Sequence, residues 1–322
     1  MYSKYVFVLL MLISSAVAQA KHLGDIKVGV LSYGTVNWEM DTIKFHGIDH
    51  ANGVNLVPVK ITSKNAAAIA LQSGAVDMIL TDIFWVIKQK GDYVIQPTHK
   101  LTGGIYAKEG VRLEDIKSLG VAGGANDKNL LVLKAYHERR GQQMPEQVKF
   151  AAPPLLNELA IKGQFDAAMN FWHYNARLDA NGFTNILPTS HMLNELGIEQ
   201  SVPLLGWVFK QAYSEESADA VDAFLEASKL AKQKLLEDDN EWARLRPIMR
   251  VETDSDFSAL KTHYKETVLF ENADVSLQAT KDLFVIVKNL KNQTVFPPDF
   301  VFPDNLLYRQ SETEIALTTG AH

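Results

Sequence analysis

The feature that most constrains this chain is a segment plan that occurs twice. Asp25-Ile26-Lys27-Val28-Gly29-Val30-Leu31 reads as a buried strand ending at Ser32-Tyr33-Gly34. A helical pattern follows over 66–72, then a turn at Ser73-Gly74, an aspartate at Asp77, and the apolar run Met78-Ile79-Leu80. The order recurs in the second half. Ser118-Leu119-Gly120-Val121-Ala122 is a strand ending at Gly123-Gly124, a helix reads over 154–161, and Gly163, Asp166 and Ala167-Ala168-Met169 repeat turn, aspartate and strand. Short apolar runs alternating with helical patterns indicate βαβ units and parallel sheets. Helix–glycine–strand turns are common enough to explain either copy alone. Two copies with the same glycine-to-aspartate spacing predict an α/β chain with two lobes of one design, each a parallel-rich sheet flanked by helices.

Leu101-Thr102-Gly103-Gly104-Ile105-Tyr106-Ala107 and Val202-Pro203-Leu204-Leu205-Gly206-Trp207-Val208-Phe209 are both β-rich. Each carries glycine where a crossing strand bends, so together they predict a two-strand hinge. The second lobe is then an insertion over 107–203, and the first is assembled from 21–106 and 204–310. Closure about such a hinge traps a ligand between the lobes. Beyond the second crossing, Ala220, Phe224, Ala227, Leu230, Ala231 and Leu235 fall at helical spacing within 215–237. Further helices are expected over 241–249, 256–269 and 276–290, with a frayed polar tail over 311–322.

Residues 1–20 read as a signal peptide: Lys4 gives the positive flank, a short apolar run follows, and small residues allow cleavage after Ala18 or Ala20. The apolar run falls short of the ~20 residues that span a bilayer, and no later stretch is long and apolar enough, so no membrane insertion is expected. The chain has no cysteine, which excludes disulfides, thiolate metal sites, cysteine nucleophiles and a lipid anchor on cysteine. An unlipidated, exported monomer in a periplasm is the expectation. The net charge of −6 argues against nucleic acid as a partner, and Arg139-Arg140 reads as a solvated helix end.

Ligands of open α/β sheets bind outside the carboxyl ends of the strands. That rule selects Tyr33, Asn37 and Trp38 after the first strand, and Asp82 and Trp85 after the second. In the other lobe it selects Gly124, Asp127 and Lys128, then Asn170, Trp172 and His173. Tryptophans at strand ends in both lobes suggest an aromatic-lined cleft, although any one of them serves equally well as core. The glycine turn before 130–136 exposes backbone N–H groups to an anion, with Lys128 adding charge; Asp127 is equally a plain N-cap. Asp82 is either a carboxylate for an amine or a cap, and His173 either a ligand donor or a structural residue. Asp77 and Asp166 precede their strands and read as structural. His46 and His50 stand four apart without a third ligand, a weak zinc signal, and read as a solvated helical pair. No hydrolase, zinc-protease or dinucleotide motif occurs, so no catalytic residue, metal or cofactor is expected.

Several of these segments resemble the nitrate/sulfonate/taurine and pyrimidine-precursor binding proteins of ABC importers. The residues that carry the resemblance are Gly74-Ala75-Val76-Asp77, Asp82-Ile83-Phe84-Trp85-Val86, Gly120 through Asn129, Ala152 through Glu158, Asn170-Phe171-Trp172-His173-Tyr174 and Leu204 through Phe209. They lie within 24–270. The resemblance implies a type II periplasmic binding fold that closes like a Venus flytrap, with a small-molecule ligand between the lobes and a permease and an ATPase as partners. It also implies ligand contact at 33–38 and 123–129. No sulfonate or nitrate clamp of the family aligns here, and the tryptophan-rich cleft suits an aromatic or heterocyclic compound. Sulfonate, nitrate, pyrimidine and amine stay open. Two other readings compete: an enzyme on the same fold, akin to the fungal pyrimidine-precursor synthases whose cysteine-rich motif is absent here, and a periplasmic accessory or sensory protein.

Overall fold

A computed structural model describes residues 22–270 and 273–310. The expected signal peptide and the 311–322 tail lie outside the described residues. The chain begins with β1 (Gly24–Leu31), α1 (Val36–Phe45), α2 (Ile48–Ala51), β2 (Val54–Ile61), α3 (Lys64–Ser73), β3 (Met78–Asp82), α4 (Ile83–Lys88) and β4 (Tyr93–Lys100). It continues through β5 (Gly104–Lys108), β6 (Ser118–Val121), α5 (Lys128–Arg140), β7 (Gln147–Phe150), α6 (Pro153–Ile161), β8 (Ala167–Met169), α7 (Trp172–Ala180), β9 (Phe183–Pro188) and α8 (Thr189–Glu195). Then come β10 (Pro203–Lys210), α9 (Gln211–Glu216), α10 (Ala218–Glu237), α11 (Asp239–Met249), α12 (Asp254–Thr267) and α13 (Ala273–Asn289).

The strands form two five-stranded sheets, ordered β2-β1-β3-β10-β4 and β7-β6-β8-β5-β9. Both are mixed. β1 runs parallel to β2 and β3, whereas β10 is antiparallel to β3 and β4. β6 runs parallel to β7 and β8, whereas β5 is antiparallel to β8 and β9. The antiparallel members are the strands next to the two crossings, where the chain arrives in its new sheet from the cleft side. The crossings lie side by side, Leu101 N donating to the Val202 carbonyl at 2.7 Å. β5 pairs within the second sheet, so the first crossing is the short segment 101–103.

The repeated plan is built from matching parts. Asp77 Oδ2 accepts from Lys27 N at 2.7 Å while Asp77 N donates to the Lys27 carbonyl at 2.8 Å. Asp166 Oδ2 accepts from Ser118 N at 2.8 Å while Asp166 N donates to the Ser118 carbonyl at 3.1 Å. Both aspartates are structural, as expected: each pins the start of its strand to the neighbouring one. Gly74 and Gly163 close the preceding helices at φ 76° and 71°, a region that favours glycine. Two residues along from Lys27 and Ser118, Gly29 and Gly120 stand where a Cβ would meet Ile61 at 2.8 Å and Leu156 at 2.7 Å respectively.

Helix expectations hold with local changes. The 215–237 pattern breaks at Ser217, whose ψ of 36° separates α9 from α10. His46 and His50 do not share a helix, because Gly47 at φ 64° ends α1 before α2 begins. His46 Nε2 instead shares a hydrogen bond with Glu241 at 2.8 Å. Burial opposes ionisation of Glu241, yet hydrogen bonds from Arg244, His46 and Thr42 carry its pKa down to about 2. That network ties α11 to α1. α12 is tied to α7: His263 pairs with Asp179 at 3.2 Å, and nearby Arg177 donates to the Arg250 carbonyl at 3.1 Å. The α11–α12 pair therefore straps one lobe to the other beside the hinge. Among the described residues no helix is long and apolar enough to cross a membrane.

Candidate functional site

The carboxyl ends of β1, β3, β6 and β8 face one another across the gap between the sheets, and the structure is closed there. Trp38 on α1 meets Trp172 at the start of α7 edge to face, ring centroids 6.1 Å apart. Tyr264 of α12 lies 6.0 Å from Trp38 and 5.9 Å from Trp172. Trp242 of α11 closes the group behind Trp38 at 5.7 Å. Edge-on packing of this kind is favourable beyond the area buried.

Beneath Trp172 remains a void of about 10 Å³ lined by Thr35, Glu39, Leu80, His99, Leu205 and Tyr264. Buried polar side chains line its floor. Glu39 is buried with Lys232 of α10, 2.8 Å away, and accepts from Ser228 Oγ at 2.6 Å. Ser228 Oγ in turn accepts from Trp207 Nε1 at 2.8 Å. Burial, reinforced by the Lys232 ammonium, depresses His99 to about 3, so its imidazole is neutral. The Tyr264 hydroxyl is buried without a hydrogen-bond partner among the described residues, and burial followed by the Glu39 charge holds its pKa well above the ordinary value. Sealed polar groups left unpaired cost stability; this one belongs to a residue that lines the void.

Nearer the mouth, Asp82 and Lys128 join the lobes at 3.1 Å. Asp82 also caps α4 by accepting from Trp85 N at 3.1 Å. Lys128 opens α5 and lies 5.5 Å over the Phe84 ring. Asp127 caps α5 through Leu130 N at 3.2 Å, and burial raises its pKa. Lys64 of the first lobe sits 4.9 Å over Phe171 of the second. Gly124 is open, with nothing within 4 Å of a would-be Cβ.

Several expected contacts are spent elsewhere. Asn37 Nδ2 donates to the Leu31 and Gly34 carbonyls at 3.0 and 2.9 Å, fixing the loop after β1. Tyr33 is exposed and carries the Arg250 guanidinium 5.1 Å over its ring. Trp85 is not part of the aromatic group: its ring rests on Tyr93, 5.3 Å away, because α4 turns it back toward its own lobe. Asn170 is fully engaged. Its Nδ2 donates to Asn157 Oδ1 at 2.7 Å and to the Pro153 carbonyl at 2.9 Å, and its Oδ1 accepts from Phe171 N at 2.8 Å. It locks α6 to α7 rather than facing the gap. Trp207, beside the second crossing, is buried under α10. His173 is brought down to about 4, first by burial and then by the Arg177 and Lys64 charges, and its Nδ1 is sealed without a partner among the described residues. Glu39, His99, Lys232 and Tyr264 escape sequence reasoning. Glu39 adjoins Trp38 but lies one residue beyond the 33–38 segment that the strand-end rule selects. Among the described residues no group of His, Asp or Glu is placed to hold a metal ion.

A larger space lies at the hinge edge. A cavity of about 320 Å³ is bounded by both crossings, Tyr106 of β5, Trp172, Leu193 of α8 and Glu266 of α12. Trp172 is the residue that borders both this cavity and the void in the cleft.

No family model matches the sequence, and no curated protein does either. Solved structures match in fold. The periplasmic aliphatic sulphonate binding protein SsuA from Escherichia coli superposes with a TM-score of 0.66 at 16% identity, covering 90% of this chain and 94% of that one. An ABC transporter structure from Parabacteroides distasonis gives 0.68 at 12% identity, covering 89% and 99%. The Candida albicans CA3427 gene product, described as defining a new family with the generic periplasmic binding protein fold, gives 0.58 at 13% identity, covering 84% and 92%. The chain therefore has the two-lobed α/β fold of periplasmic binding proteins.

Proposed function

We propose that this chain is the solute-binding component of an ABC importer, exported by removal of residues 1–20, which closes the second lobe, 104–202 rather than the expected 107–203 because β5 joins its sheet, against the remainder around a small organic molecule and hands it to a permease driven by an ATPase. The observation that carries the reading is the contact of Trp38 with Trp172, one indole from each lobe, over a floor of Glu39, neutral His99 and the unpartnered Tyr264 hydroxyl. Opening about the paired crossings separates the indoles and uncovers that floor. A ligand that slides a flat ring between them and offers hydrogen-bond donors below bridges both lobes and shifts the population toward the closed form.

The chemistry of the floor favours an aromatic or heterocyclic compound with N–H donors over a sulfonate. A sulfonate seeks donors and positive charge, whereas the one ammonium here is already paired with Glu39. Asp82 and Lys128 border the mouth and meet when the lobes close. The chain performs no reaction on this reading.

A thermal-shift screen of heterocycles, aromatic amines, sulfonates and oxyanions against the mature protein tests it, since a ligand bound only by the folded state raises the melting temperature. With a hit in hand, Trp38→Ala and Trp172→Ala are each expected to weaken binding by more than about tenfold, the level at which a residue dominates a binding surface. Wild-type affinity in both variants removes the ligand from this cleft.

A further inference from the structure

We propose that the hinge-edge cavity is a second small-molecule site, that it takes a small organic ammonium ion, and that its occupation holds the closed state. In this site Glu266 receives the charged nitrogen, and Trp172, Leu193 and Ile198 receive the hydrocarbon part.

Size is the first argument. The cavity measures about 320 Å³ against about 10 Å³ in the cleft, and small-molecule sites begin at roughly 300 Å³. It is also separate from the cleft, with the Trp172 ring as the wall between them.

Charge is the second. The wall carries the carboxylates of Glu199 and Glu266 against the single ammonium of Lys100. The other basic side chain of the wall, His263, is engaged with Asp179 at 3.2 Å. Glu266 has no ion-pair or hydrogen-bond partner among the described residues. The Tyr106 hydroxyl accepts from Asn185 Nδ2 at 3.5 Å, and burial, then the charges of Glu266 and Asp179, raise its pKa, so it stays neutral beside them. The lining is thus acidic around an apolar wall, which an ammonium ion on a hydrocarbon body complements and an anion does not.

Position supplies the coupling. Lys100 at the end of β4 and residues 101–103 and 201–202 of the two crossings line the cavity together with β5, β9, α8 and α12. Rotation about the crossings moves these walls relative to one another, so a ligand that fits the closed arrangement favours it. By linkage, cleft ligand and ammonium compound then strengthen each other's binding.

The test is isothermal titration of the mature full-length protein with phenethylamine, alongside 3-phenylpropionate as the anion of matched shape. The amine is expected to bind and the acid not. Glu266→Gln, a change at an exposed side chain, is expected to weaken the amine by about 10- to 100-fold, the worth of one charge-assisted hydrogen bond, with the melting temperature unchanged. Trp38→Ala, which lies outside this cavity, is expected to weaken the amine less than Glu266→Gln does, through the lost closing contact alone, so failure here and failure of the cleft reading are separable. The proposal is overturned by absence of amine binding, by equal binding of the acid, or by wild-type affinity in Glu266→Gln. Loss of amine binding in Trp38→Ala alone also overturns it, and places the amine in the cleft.

Discussion

The two halves of the molecule use the same turn to start a strand and different residues to end it. After Gly74 and Gly163, Asp77 and Asp166 tie β3 and β8 to their neighbours through the same backbone exchange. At the other end the copies part. β3 finishes at Asp82, whose carboxylate caps α4 and still reaches Lys128 across the gap. β8 is followed by Asn170, whose amide is consumed by Pro153, Asn157 and Phe171. The first lobe thus keeps at its strand end a carboxyl group that reaches the other lobe, and the second invests the equivalent position in rigidity. Its contribution to the gap moves two residues on, to Trp172. Repetition sets the scaffold, and the departures from repetition mark where the lobes act on each other.

The first lobe also receives what the second lacks, the helices after β10. They place Lys232 against Glu39, both essentially sealed from solvent. Removing one member of such a pair strands a buried charge, at a cost of about 3–5 kcal/mol. Lys232→Ala is therefore expected to be the most destabilising of these changes, measured as a large fall in the denaturation midpoint. Lys232→Met together with Glu39→Gln, which removes both charges, is expected to recover much of that loss. If the single variant unfolds at the wild-type midpoint, the first lobe's floor is not held by this pair.

A smaller effect compares the copies directly. Asp166 accepts from Lys117 N, Ser118 N and Ser118 Oγ at 3.0, 2.8 and 2.9 Å, whereas Asp77 accepts from Lys27 N. At about 1 kcal/mol per hydrogen bond, Asp166→Ala is expected to cost about 3 kcal/mol and Asp77→Ala about 1 kcal/mol in chemical denaturation. Equal costs would mean that the additional bonds of the second lobe add nothing to its stability.

These aspartates and glycines were legible because their chemistry is local: glycine ends a helix, and an aspartate three residues on pins the next strand. The two-lobed plan follows from that pattern occurring twice. β2, α1 and α2 escaped because tertiary packing, not a clean alternation or a sustained helical period, fixes them. The floor of the cleft was out of reach for a different reason. Tyr264 and Lys232 arrive from helices far along the chain, and nothing local distinguishes them from ordinary amphipathic positions. Asn170 looked like a ligand contact because its neighbours' demand for its amide depends on how α6 packs on α7. Trp85 looked like a cleft indole because strand-end position does not say which way a short helix turns its first residues.

The least costly change probes the ion pair between Asp82 at the end of β3 and Lys128 at the start of α5, which joins the two lobes. Asp82 and Lys128 are each 23% exposed at the side chain and 3.1 Å apart. A partly exposed pair is worth about 0–1 kcal/mol and weakens with salt, so Lys128→Met is expected to shift the denaturation midpoint little. Its effect belongs to the equilibrium between open and closed forms instead. The pair forms only when the lobes meet, so all of its small energy favours closure, and 1 kcal/mol already changes a two-state ratio about fivefold. Small-angle scattering of the unliganded protein is expected to show a larger mean radius for Lys128→Met than for wild type. Raising the salt is expected to expand the wild type toward the variant while leaving the variant unchanged. Identical radii under both conditions would mean that the aromatic contact and the α11–α12 strap close the molecule unaided, and that Asp82, unlike Asn170 only in name, serves its own lobe as a cap.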